Sequence, residues 1–117
     1  MPILIVLGMP PGTPGLEQLI VNLQQAVIGV DELQLTTPQQ VRVWFPSDLV
    51  TEDLGHELNV LVFGLLKKTK RTKSVIEKMS EAIAGCLWRF ANVNLPLCKL
   101  IEVIPYSINE KDVVARR

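Results

Sequence analysis

The sequence predicts an α+β fold of two layers, in which duplicated βαβ units form a four-stranded mixed sheet with two helices on one face. Three observations lead there. An apolar run, Ile3 to Leu7, opens the chain, and an amphipathic helical pattern follows it. The same order then recurs in the second half. The punctuation recurs too: Gly8 and Gly64 each end a first strand, while "WFPS" and "VIPY" each close a second one. A shared order with shared stops marks an internal repeat. A βαβ unit implies parallel strands joined by a right-handed crossover. With 117 residues, 48% of them apolar, the chain can build one core. We read one domain over 1–117, with repeats at 1–50 and 57–108 and a tail at 109–117.

Ile3 to Leu7 is apolar at every position, as expected of a strand buried on both faces. The segment "GMPPGTPG" stops it with three glycines and three prolines. Thr13 is the expected N-cap of the first helix, with Pro14 at its first position. Leu16, Leu19, Ile20, Leu23, Ala26 and Val27 make its apolar stripe, Gln18, Asn22 and Gln25 its polar side, and Gly29 its stop. "VRVWF" then reads as a strand. Alternation places Val41, Val43 and Phe45 on one face and Arg42 with Trp44 on the other.

In the second half "LNVLVFG" is a strand and "KKTKRTKS" a polar turn. Ser74 and Glu77 fit a capping box. The stripe from Val75 through Met79, Ile83 and Leu87 to Phe90 is the second helix, and "CKLIEVIPYS" the last strand. Both helices on one face leave the other face of an apolar sheet bare. A second copy of the chain is its natural cover.

Composition narrows the function. Twelve basic residues balance twelve acidic ones, which argues against a nucleic-acid binder. The run Lys67 to Lys73 holds five basic residues in seven and reads as a solvated loop. Cys86 and Cys98 lack metal-ligand spacing and read as reduced cysteines. His56 is the single histidine, so no metal site and no cofactor is expected. The opening run is too short for a signal peptide or a membrane span, so the expected setting is cytoplasmic, without membrane contact.

Met-Pro before an apolar strand, in a duplicated βαβ chain of this length, resembles the tautomerase superfamily. That group includes 4-oxalocrotonate tautomerase and macrophage migration inhibitory factor, and the likeness is to its long, two-unit bacterial type. It spans roughly residues 2–106 and lies in pattern more than in identity. Pro2 stands where the family has its catalytic proline, freed by removal of methionine. "VRVWF" resembles the strand whose arginine binds a substrate carboxylate, here Arg42. "VFG" resembles the strand end whose backbone contacts substrate, here Phe63. The resemblance implies a homotrimer with sites between subunits and a small carboxylate-bearing substrate. There are departures. Gly12 stands where one branch has a second arginine, and Leu100 and Glu102 stand where another has tyrosine and asparagine.

The chemistry this would support follows from the amine. A terminal proline nitrogen is protonated in water, and apolar surroundings favour its neutral form. Ile3 to Leu7 and Trp44 are the expected surroundings. A neutral amine near working pH is a general base, able to move a proton between the oxygen and carbon of an enol. Arg42 would hold the carboxylate. A proline still acylated by methionine is an amide and has no such basicity. The first expectation is therefore a possible isomerase of a small enol or 2-oxo acid. The alternatives are a non-catalytic oligomer that binds ligands or partners on the same scaffold, and a ferredoxin-like regulatory module. For Arg42 an interface ion pair, and for Trp44 interface packing, stand beside the substrate role.

Overall fold

A computed structural model describes residues 2–47, 53–66 and 71–108. Its elements run β1 (Ile3–Leu7), α1 (Leu16–Ile28), two short 3-10 turns (Asp31–Leu33 and Pro38–Gln40), β2 (Arg42–Trp44), β3 (Glu57–Leu66), α2 (Lys73–Asn94) and β4 (Leu100–Ile108). The basic stretch before Arg71 and the tail after Ile108 lie outside the described residues.

The sheet order is β2-β1-β3-β4. β1 pairs in parallel with β2, and β3 in parallel with β4, while β1 and β3 pair antiparallel. Each βαβ unit therefore keeps its own two strands side by side, and the units join at β1 and β3. A ferredoxin-like module splits its βαβ units, with another strand between the two. The observed pairing corrects that alternative.

Burial follows the two-residue period of the strands. Leu4, Val6, Leu58, Val60 and Val62 are fully buried, together with Leu19, Leu23 and Val27 of α1 and Met79, Ile83 and Leu87 of α2. This layer between sheet and helices is the core, and each such side chain contributes roughly 1.5–3 kcal/mol by leaving water. The intervening strand residues point the other way, and none of the described helices covers them. Leu7, Trp44, Phe63, Leu100, Ile104 and Tyr106 are exposed large hydrophobic residues on that open face.

Two expected caps move. Thr13 does not cap α1. Its hydroxyl donates to the Pro10 carbonyl at 2.7 Å, closing the proline-rich turn, and the helix starts after a left-handed Gly15. In α2 the cap is Thr72 rather than Ser74: its hydroxyl oxygen accepts from the Val75 N–H at 3.3 Å. At α1 a nearby carbonyl claims the hydroxyl that spacing had assigned to the cap, and at α2 the chain enters the helix two residues earlier than the spacing suggested. Gly29 does end α1.

Candidate functional site

The chemistry expected of Pro2 needs a cation at the start of β1, and the chain supplies one through an ordered sequence of turns. The Gln40 side-chain oxygen accepts from the backbone N–H groups of Thr36 and Thr37, the latter at 3.0 Å. Gln24 of α1 donates to the Val41 carbonyl at 2.9 Å, and the Val41 N–H reaches the Pro38 carbonyl at 3.0 Å. These bonds hold the entry to β2. The Arg42 N–H then donates to the Pro2 carbonyl at 3.1 Å, so Arg42 adjoins Pro2 through the first rung of the parallel ladder.

The next rung extends the row. Ile3 pairs with Arg42 on one side and with Phe63 on the other. Pro2, immediately before β1, thus lies with Arg42 of β2 and Phe63 of β3 at one end of the sheet. Pro2 is buried, whereas Arg42 is exposed on the open face. Trp44 shares that face but pairs with Ile5, two residues or about 7 Å further along. It is about half exposed and walls the open face beyond the end where Pro2 lies.

A fourth residue belongs to this end. Tyr106 stacks on Phe63, with ring centroids 4.8 Å apart and planes within 2°. The contact depends on a register shift in the pairing of β3 with β4 between Val62 and Leu65. Val62 pairs with Pro105 and Leu65 with Ser107, so Phe63 and Gly64 together oppose Tyr106. Gly64, at φ 81, takes the left-handed conformation that such a bulge needs. Sequence reasoning missed Tyr106. The sequence reading ends this strand at Gly64, whereas β3 runs through it to Leu66; the available signal was that a glycine flanked by apolar residues on both sides can sit inside a strand and mark a bulge.

The electrostatics of this end are simple. Among the described residues no carboxylate lies within ion-pair distance of Arg42. Gly12, on the turn after β1, is exposed and adds no second cation. Glu102 also lies on the open face, opposite Asn59 of β3.

The remaining polar features lie elsewhere. A cleft of about 640 Å³ opens between α1 and α2, lined by Asn22, Gln25, Ala26, Cys86, Arg89 and Phe90. It sits on the helix layer and includes none of the predicted site residues. Burial pushes the Cys86 thiol up from its ordinary value, and the positive charge of Arg89 partly offsets this. Cys86 and Cys98 are both free thiols. Arg71 donates to the Leu33 carbonyl at 3.2 Å, and burial lowers its pKa. His56 lines a small cleft with Asp53, Glu57 and Lys99, and its carbonyl accepts from the Lys99 N–H at 2.7 Å. Among the described residues no group of three His, Cys, Asp or Glu side chains is placed to hold a metal ion. Nor is any described helix long and apolar enough to cross a membrane.

No protein-family model matches the chain, and no curated protein matches it in sequence. Solved structures do match in shape. The 5-carboxymethyl-2-hydroxymuconate isomerase of Deinococcus radiodurans R1 superposes with a TM-score of 0.65 at 11% identity, covering 99% of this chain and 89% of that one. A symmetric trimer of fused 4-OT gives 0.63 at 17% identity, with 98% and 92% covered. The macrophage migration inhibitory factor of Toxoplasma gondii gives 0.58 at 14% identity, with 98% and 97% covered. The chain thus has the fold of the tautomerase superfamily.

Proposed function

We propose that this chain is the protomer of a homotrimeric, tautomerase-like isomerase acting on a small carboxylate-bearing enol or 2-oxo acid. One observation carries the reading: Pro2, just before β1, Arg42 of β2 and Phe63 of β3 lie at one end of the sheet, joined by the Arg42 N–H to Pro2 carbonyl bond and by the pairing of Ile3 with Arg42 and Phe63. The fold adds weight, because its solved neighbours include muconate isomerases. A fused 4-OT trimer among them supports an assembly of three.

Once methionine is removed, the Pro2 nitrogen becomes a secondary amine at a buried position. Burial disfavours its cationic form, so the neutral base persists nearer to neutral pH. It accepts the enol hydroxyl proton and returns a proton to carbon, converting the enol to the oxo form. The Arg42 guanidinium pairs with the substrate carboxylate and stabilises charge that develops on oxygen. Phe63 and Tyr106 give the body of the substrate a flat apolar wall. No metal or cofactor enters this sequence of steps. If methionine stays in place the nitrogen remains an amide, and the same scaffold acts as a binding oligomer.

The test begins with intact mass, which reports whether methionine has been lost. Processed protein is then mixed with 2-hydroxymuconate or phenylpyruvate and followed by ultraviolet absorbance. Pro2→Ala is expected to lower kcat/KM by at least about 100-fold, the size of a lost general base. Arg42→Ala is expected to raise KM by about 10- to 100-fold, as befits a lost charged hydrogen bond. Processed protein no faster than Pro2→Ala would end the catalytic reading.

A further inference from the structure

The open face of the sheet is apolar, yet Arg42 and Glu102 place opposite charges at its two margins. Arg42 is on β2 and Glu102 on β4, the two edge strands. Both are exposed, and among the described residues neither has an ion-pair partner. Glu102 is set between Leu100 and Ile104 on its own strand, both of them exposed hydrophobic residues. Arg42 has the half-exposed Trp44 two positions along.

The two charges cannot meet within one chain. Three strand spacings separate β2 from β4, or about 14 Å. Arg42 is level with Ile3, whereas Glu102 is level with Asn59 and hence with Leu7, four residues or about 13 Å further along β1. Covering the face with further copies of the chain would bury both groups. A buried charge without a partner is strongly unfavourable, so an assembly that hides this face has to pair them. Opposite charges on opposite margins suit a head-to-tail ring, in which one margin of each copy meets the other margin of the next. Glu57 is the other carboxylate on this face, but it shares its small cleft with Lys99 and His56.

We propose that Glu102 of the partner subunit pairs with Arg42 across each interface of the ring, so that the end of the sheet holding Pro2 is completed by a neighbouring chain. The pair orients the guanidinium before any ligand arrives, and an incoming carboxylate shares it with Glu102 or displaces it. This inference rests on the oligomeric part of the function proposed above and not on the chemistry of Pro2.

Charge reversal tests it. Sedimentation of Arg42→Glu and of Glu102→Arg should show self-association weakened by at least about 10-fold, and the double reversal should recover most of the loss. Both positions are exposed, so the helical circular-dichroism signal should stay unchanged; the milder Glu102→Gln should weaken association in the same direction. Independently, an Arg–Glu pair holds its Cα atoms beyond the roughly 7 Å limit of a direct disulfide, so a Cys98→Ser variant carrying Arg42→Cys with Glu102→Cys should give covalent multimers with a short bismaleimide cross-linker, and neither single cysteine variant should. A double reversal no better than the single changes, single reversals that leave association intact, or the absence of cross-linking would each overturn the pairing. A monomeric wild-type protein would overturn both this pairing and the oligomeric reading. An oligomeric wild type without rescue would overturn the pairing alone.

Discussion

At the scale of single residues, backbone geometry decides more than side-chain chemistry. Gly8 ends β1 at φ 95, and a Cβ there would run into the Glu57 carbonyl at the start of β3. Its own carbonyl accepts from the Gly55 N–H at 2.8 Å, tying the connector before β3 to the end of β1. A side chain in this conformation costs about 1–2 kcal/mol before any collision is counted. Gly8→Ala should therefore lose at least about 2 kcal/mol of stability, read as a lower urea midpoint. A midpoint equal to that of the wild type would show that the turn can relax. Arg42 is set the same way: its place beside Pro2 is determined by backbone rungs, and its guanidinium is left on the open face.

At the scale of elements, the helices were legible from their stripes, because 3.6-residue periodicity follows directly from the order of apolar residues. Their first turns were less so. Thr72 and Ser74 both carry a hydroxyl near the start of α2, and only the path of the incoming chain selects Thr72. Thr72→Ala should cost about 1 kcal/mol. Ser74→Ala, inside the exposed first turn, should change stability by less than about 0.5 kcal/mol. Equal losses in the two variants, measured by urea unfolding, would place the cap wrongly. The strands show a similar division. Alternation correctly put Val43 and Phe45 against the core and left Arg42 and Trp44 outside it. The bulge that stacks Tyr106 on Phe63 stayed hidden, since it depends on how β3 pairs with a strand that follows only after α2.

At the scale of the whole molecule, the sheet has one face occupied by helices and one that no described helix covers. That face presents the exposed side chains of Trp44, Phe63, Leu100, Ile104 and Tyr106 together, a grouping of the kind that marks an interaction surface. Ile104 lies midway along the edge strand β4, paired with Leu61 of β3. Ile104→Asp should leave the core intact, because the side chain faces away from the helices, and should abolish self-association at micromolar protein. Sedimentation checks the second outcome and thermal unfolding the first. An assembly that survives Ile104→Asp would mean that copies meet through another surface.

The order of residues by itself determined the two βαβ units, the apolar stripes, and the candidate set Pro2, Arg42, Phe63 and Trp44. Those features depend on local periodicity, on turn residues and on a resemblance carried by short motifs. Tertiary structure alone decided which strands are neighbours, and so that β1 stands between β2 and β3 and draws Arg42 and Phe63 to Pro2 while Trp44 falls one row away. It also decided that Tyr106 joins Phe63, and that Arg42 and Glu102 face the same way from opposite margins. The physical reason is that strand pairing is a long-range choice. It is made by whichever register buries Leu4, Val6, Leu58, Val60 and Val62 together under the helices, and no single segment contains that information.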